Sequence, residues 1–171
     1  MFNQKEENMN YALHSPNIKQ LAVKMARKLN LSPKTFLLLA ENHDIGKIQI
    51  PHDILHKEGP LTPNEWVIMK LHPEIGYRIA KSIPKLNSIA NYILFHHERW
   101  DGEGYPHKLK GTEIPLEARA VAILDAYDAM TTDRPYKRAM SREEAIKELK
   151  KNAGTQFDPK LVEIFIKEVL A

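Results

Sequence analysis

The 171 residues include no cysteine. Disulfides, thiolate metal ligands and thiol nucleophiles are thereby excluded, so any metal must be held by imidazole, carboxylate or water. No apolar run approaches the roughly 20 residues needed to cross a bilayer. The opening MFNQKEENMNYALH lacks the basic segment and long apolar stretch of a secretory signal. A cytoplasmic protein with no membrane association is the expectation. There is also no basic stripe interleaved with aromatics. The net charge of +3 arises from Lys and Arg scattered among carboxylates, so duplex DNA or RNA is not an expected partner. Seven Gly and 11 Pro do not make a low-complexity chain, and no alternating strand pattern stands out. With 43% hydrophobic and 27% charged residues, the chain has the size and composition of one domain, taken as residues 1–171.

The periodicity is helical. Ile18, Leu21, Ala22, Met25 and Leu29 recur at three-and-four spacing and predict an amphipathic helix. Ser32-Pro33 offers a cap and a first-turn proline for a second helix that runs through Phe36, Leu37, Leu39 and Ala40 toward His43. Thr62-Pro63-Asn64-Glu65 and Ser141-Arg142-Glu143-Glu144 are capping boxes that start two more. Ile89, Ile93 and His96/His97 suggest one helix, Ala118, Val121, Ala122, Asp125 and Ala129 another, and Phe157-Asp158-Pro159 introduces the last. Two long breaks, 47–61 and 99–115, are rich in Gly, Pro and charge and flank the His-rich segments. The expected fold is an all-α bundle.

Eight His stand out in a chain without Cys. His14, the pair His43-Asp44, His72, the pair His96-His97 and Asp125 are spread over several predicted helices and supply up to seven ligands, enough for two metals. Imidazole and carboxylate suit Fe, Mn or Zn, and a carboxylate can bridge two ions about 3.5–4 Å apart. Neighbouring residues on a helix point about 100° apart. On that geometry His96 and His97 address different ions, or one of them orients the other's site. His52, His56 and His107 fall among loop residues and are expected at the surface. Glu98, Asp101 and Asp128 are read either as acceptors that orient imidazoles or as solvated or capping groups. Trp100 and Tyr105 either stack on a base or anchor the Gly/Pro loop.

The strings HDIGKIQIP at 43–51, LTPNEWVIMKLHPEIG at 61–76, HHERWDGEGYP at 96–106 and DAYDAMTTDRPY at 125–136 closely resemble the HD-GYP family. The resemblance continues through GTEIPLEARAVA at 111–122 and GTQFDP at 154–159, so it covers about residues 10–170. It implies an HD-superfamily helical bundle that holds iron or manganese and hydrolyses cyclic di-GMP to linear pGpG or to GMP. By position it implies His43, Asp44, His72, His96, His97 and Asp125 as metal ligands, with Asp44 bridging two ions. Lys47 matches a lysine that assists catalysis beside the metals. Arg134 and Lys137 match residues that meet the substrate phosphates. Tyr105 belongs to a loop that shapes the substrate site and contacts cyclase (GGDEF) partner domains.

Chemistry points the same way. Phosphodiester hydrolysis needs an activated oxygen nucleophile and relief of charge on the phosphoryl oxygens, and a metal-activated hydroxide between two ions answers both needs. Arg134 offers a forked donor pair and Lys137 a mobile point charge to phosphate. Two departures from the family pattern stand near the start. Family members with three metals carry Glu where this chain has Asn10, so two metals are expected and a third is not. Ser15-Pro16 reads as a helix cap that leaves His14 just outside the helix. No sensor or receiver pattern precedes the helical core within these residues. Two other readings compete with the enzyme: a cyclic-dinucleotide-binding or cyclase-docking module without turnover, and an HD phosphohydrolase acting on another nucleotide. Intact HD, Lys47 and GYP residues favour the enzyme.

Overall fold

The computed structural model describes residues 16–133 and 138–171. They are helical, with no β-strand among the described residues and one isolated bridge between Ala153 and Phe157. The first helix among the described residues, α1 (Pro16–Lys28), buries Ile18, Ala22, Met25 and Ala26 along one face. In α2 (Pro33–Asn42) the Ser32 hydroxyl accepts the Thr35 N–H, and Phe36, Leu39 and Ala40 turn inward. Both starts agree with the prolines in the sequence. Ser141 and Thr62 form the predicted capping boxes at α8 (Arg142–Lys151) and α4 (Pro63–Met69). At α9 (Pro159–Ile164) the Asp158 carboxylate accepts from Lys160 and Leu161 N–H while also holding Arg119.

The centre is α7 (Leu116–Thr131), which is apolar on several sides and is touched by α1, α2, α6 (Ala90–Phe95), α8 and α9. Val121, Ile123 and Leu124 of α7 meet Phe36, Ile93, Leu149 and Phe165 in one continuous core. Each fully buried side chain of this kind contributes about 2 kcal/mol of transfer free energy. No helix among the described residues is long and apolar enough to cross a membrane.

Two expectations are corrected. The helix ending at Phe95 does not continue through His96 and His97. The His96 ring takes the Ile93 carbonyl, which a continuing helix would have given to the His97 N–H. The break at 47–61 is also more ordered than a loop. It takes in the end of a 3-10 turn (Ile45–Gln49) and the short helix α3 (His52–Leu55), and Ile50, between them, packs with Ile54 of α3 on Ile75 in a second small apolar cluster. The 3-10 turn lies directly on α5 (His72–Ser82), and Gly46 permits it. A Cβ at Gly46 would stand 1.9 Å from the His72 carbonyl oxygen and 2.5 Å from the Gly76 nitrogen.

Replacing Ser141 with Ala removes the side-chain acceptor at the start of α8 and should cost about 1 kcal/mol. For a chain of this size the expected fall in Tm is roughly 2–4 °C, to be measured by thermal circular dichroism.

Candidate metal centre

Three of the candidate imidazoles stand where helices stop, while Asp125 projects from the interior of α7. His43 is the C-cap of α2, His96 is the C-cap of α6, and His72 follows α4 at the first turn of α5. The last carbonyls of a helix have no partner within it. Here three of them are used in the same way. Nδ1 of His43 lies 3.1 Å from the Ala40 oxygen, Nδ1 of His72 lies 2.8 Å from Met69, and Nδ1 of His96 lies 2.6 Å from Ile93. A carbonyl only accepts, so each Nδ1 carries the proton and each Nε2 presents its lone pair.

Those lone pairs converge. His72 Nε2 is 3.3 Å from His96 Nε2 and 3.1 Å from His97 Nε2, while Asp44 Oδ1 lies 3.3 Å from His72 Nε2 and 3.7 Å from His96 Nε2. Donor atoms of Asp44, His72, His96 and His97 all fall within 4.8 Å of one another. On the other side of the same carboxylate, Oδ2 lies 3.7 Å from His43 Nε2, which is itself 3.6 Å from Asp125 Oδ1. Asp44 Oδ1 is buried and accepts no hydrogen bond from the described residues. Buried acceptors facing one another are costly unless a cation lies between them, and imidazole with carboxylate is a donor set for a divalent transition metal. The residues therefore fit a metal.

The electrostatics agree. Burial, reinforced by the neighbouring imidazoles, pushes His96 down to about 4 and His97 well below its ordinary value, so both imidazoles stay neutral. Burial acts against the charge of His43, but the carboxylates of Asp44 and Asp125 outweigh it and raise that pKa. For Asp44 burial is likewise outweighed, by His43, His72, His96 and Lys47, and the carboxyl is held well below the usual carboxylate range. Asp125 is lowered against its burial, chiefly through His43. Lys47, on the 3-10 turn, places Nζ 2.6 Å from Asp44 Oδ2. Burial and the nearby Asp44 and Asp125 raise Tyr105, which stays a neutral phenol.

His43, Asp44, Lys47, His72, His96, His97, Tyr105 and Asp125 are thus brought together. The view that His96 and His97 must diverge does not hold, because neither is inside a helix; their rings lie 4.0 Å apart and both Nε2 atoms approach His72. His14, Arg134 and Lys137 lie outside the described residues. His52, His56 and His107 are exposed, as expected. Glu98 proves not to orient an imidazole. Its buried carboxylate accepts the N–H groups of His107 and Leu109 and ties the loop that carries Tyr105. Asp101 accepts from Arg99 and from the Glu103 N–H. Trp100 anchors its loop: its main-chain N–H donates to the Gln156 carbonyl, and the Arg119 guanidinium lies 5.7 Å from its ring centroid. Lys70, with Nζ 5.4 Å from the Tyr105 ring centroid, was not suggested by the sequence.

A helical fold with this cluster at its helix ends is that of an HD domain, and the chain belongs to the HD-domain family, whose model matches residues 2–161. A cyclic di-GMP phosphodiesterase of Thermotoga maritima is 43% identical over 160 residues, covering 90% of this chain and 43% of that protein. A 3'3'-cGAMP-specific phosphodiesterase of Vibrio cholerae is 44% identical over 126 residues, covering 72% of this chain and 24% of that one. The chain thus spans less than half of these relatives. Among solved structures, an HD-GYP-type protein of Bdellovibrio bacteriovorus aligns with a TM-score of 0.70 at 22% identity, over 94% of this chain and 52% of that one. A cyclic GMP-AMP phosphodiesterase of Vibrio cholerae aligns with a TM-score of 0.69 at 20% identity, over 95% and 47%. The all-α HD fold and the HD-GYP resemblance are borne out.

Without metal, the buried imidazoles make the protein acid-sensitive. An unfolded His binds its proton near 6.5, whereas folded His96 does so only near 4. Between those values the unfolded chain holds more protons, and stability rises with pH. His97 acts in the same direction, and Asp44 and Asp125 lose their contribution only below the ordinary carboxylate range. The raised pKa of His43 acts oppositely, its contribution fading as pH rises above 6.5. In chelator, Tm should therefore fall as pH is lowered from 6.5 toward 4. A flat profile by thermal circular dichroism would contradict the buried neutral imidazoles.

Proposed function

We propose that this chain is a metal-dependent phosphodiesterase domain that hydrolyses cyclic di-GMP to pGpG or GMP at a two-metal His/Asp site. The observation that carries the proposal is the division around Asp44. One of its oxygens faces His72 and His96, with His97 beside them, and the other faces His43, with Asp125 behind it. A carboxylate so placed suits a bridge between two ions. The expected metals are iron or manganese. When bound, such ions lower the pKa of an attacking water and neutralise charge on the phosphoryl group.

The residues of the chain do the rest. Asp44 and Asp125 supply anionic charge that offsets the cations. Three imidazoles are held with Nε2 inward by helix-end carbonyls and need not reorganise during the reaction. Lys47, ion-paired to Asp44, keeps a positive charge at the edge of the site where negative charge grows on phosphate. Arg134 and Lys137 are proposed to meet the phosphates, and the loop carrying Tyr105 to shape the entrance and receive a cyclase (GGDEF) domain. The names of the relatives support both cyclic di-GMP and mixed cyclic GMP-AMP as substrates, and their identities to this chain, 43% and 44%, do not separate the two.

Anaerobically purified protein supplied with iron or manganese should convert one or both cyclic dinucleotides, with products followed by chromatography and about two metals bound per chain. Metal without turnover of either substrate would favour another phosphate ester, and neither metal nor turnover would favour a docking module. Asp44→Ala should lose metal and at least about a hundredfold in rate while keeping its helical circular dichroism. Full activity in that variant would overturn the shared-carboxylate mechanism.

A further inference from the structure

Three of the four clustered imidazoles are oriented by a main-chain carbonyl at Nδ1. The fourth, His97, has no such partner among the described residues. Its support is an aromatic ring: Tyr105 stacks on it with centroids 5.0 Å apart and an interplanar angle of 22°. That ring is itself held from several directions. The Tyr105 N–H donates to the His97 carbonyl at 3.3 Å, so the stacked residues are also joined through the backbone. Glu98, next in sequence to His97, closes the loop by accepting His107 N–H at 2.7 Å and Leu109 N–H at 3.0 Å. Gly104 lets this happen, since a Cβ there would stand 2.4 Å from the Arg99 nitrogen and 2.6 Å from the Glu98 Cα. Lys70, the C-cap of α4, approaches the same ring and follows Met69, whose carbonyl orients His72.

From this arrangement we infer that Tyr105 is a positioning residue for His97, its ring doing through stacking what a carbonyl does for the other three imidazoles, with Glu98 fixing the loop that presents it. The inference rests on the metal-site reading above. It assigns the phenol ring to the metal centre instead of to a substrate base, a task for which a tyrosine already stacked on His97 lacks a free face on that side. Offset-stacked aromatic contact is directional, so the ring fixes the plane of the imidazole it covers. Groups that orient metal-bound imidazoles typically change metal affinity 10–100-fold when removed.

The test is titration of the metal-free protein with Mn2+, and with Co2+ as a ligand-field probe, for wild type, Tyr105→Phe, Tyr105→Leu and Glu98→Gln, with circular dichroism to confirm folding. Tyr105→Phe keeps the stacked ring and should bind within about twofold of wild type. Tyr105→Leu should weaken one metal about 10–100-fold and alter the Co2+ spectrum. Glu98→Gln, which leaves the ring in place, should weaken the same metal by less. A Tyr105→Leu protein with wild-type affinity and spectrum but a raised KM for a cyclic dinucleotide would overturn the inference and return the ring to the substrate. Wild-type protein that binds neither metal would overturn the metal-site reading itself, and the inference with it.

Discussion

The structure depends on a single repeated bond, from an imidazole Nδ1–H to a carbonyl three residues earlier at the end of a helix. Each bond satisfies a backbone acceptor that the helix has left over, and each sets the tautomer and direction of the ring. Helix termination and ligand orientation are therefore one event. Because α2, α4 and α6 all end toward the same place, three lone pairs meet Asp44 in a buried volume where only a cation relieves their mutual repulsion. The hydrophobic core built around α7 aims those three ends.

Much of this was legible in the sequence. The capping boxes at Thr62 and Ser141, the first-turn prolines and the three-and-four spacing of Ile18, Ala22 and Met25 are local signals, and the helices start where they say. His43-Asp44, His72, His96-His97 and Asp125 were visible as a set because a chain without Cys leaves few other ligands. Less legible was anything decided between segments. A helical repeat through Ile89 and Ile93 gives no warning that the His96 ring will take the carbonyl needed to continue the helix. Glu98 looks like any acid beside a ligand until the loop folds back and brings the N–H groups of His107 and Leu109 to it. The pairing of Lys70 with Tyr105 joins residues 35 apart in sequence and has no periodic trace.

The two halves of the site also differ in how their geometry is maintained. Around His43, His72 and His96 the backbone itself is the reference, and Gly46 presses the turn after Asp44 against α5 so closely that only main-chain atoms set the spacing. Around His97 the reference is a side chain on a loop. The centre is thus set by main-chain atoms on one face and by a side chain on the other, at the residues that begin HHERWDGEGYP.

The wide sequence separation of the clustered donors has a kinetic meaning. His43 and Asp44 come from one end of the chain's first helical pair, His72 from the middle, and Asp125 from α7, so the full donor set exists only after long loops have closed and the distant helices have docked. A metal held by the full donor set would therefore stabilise the completed topology and not its separate parts.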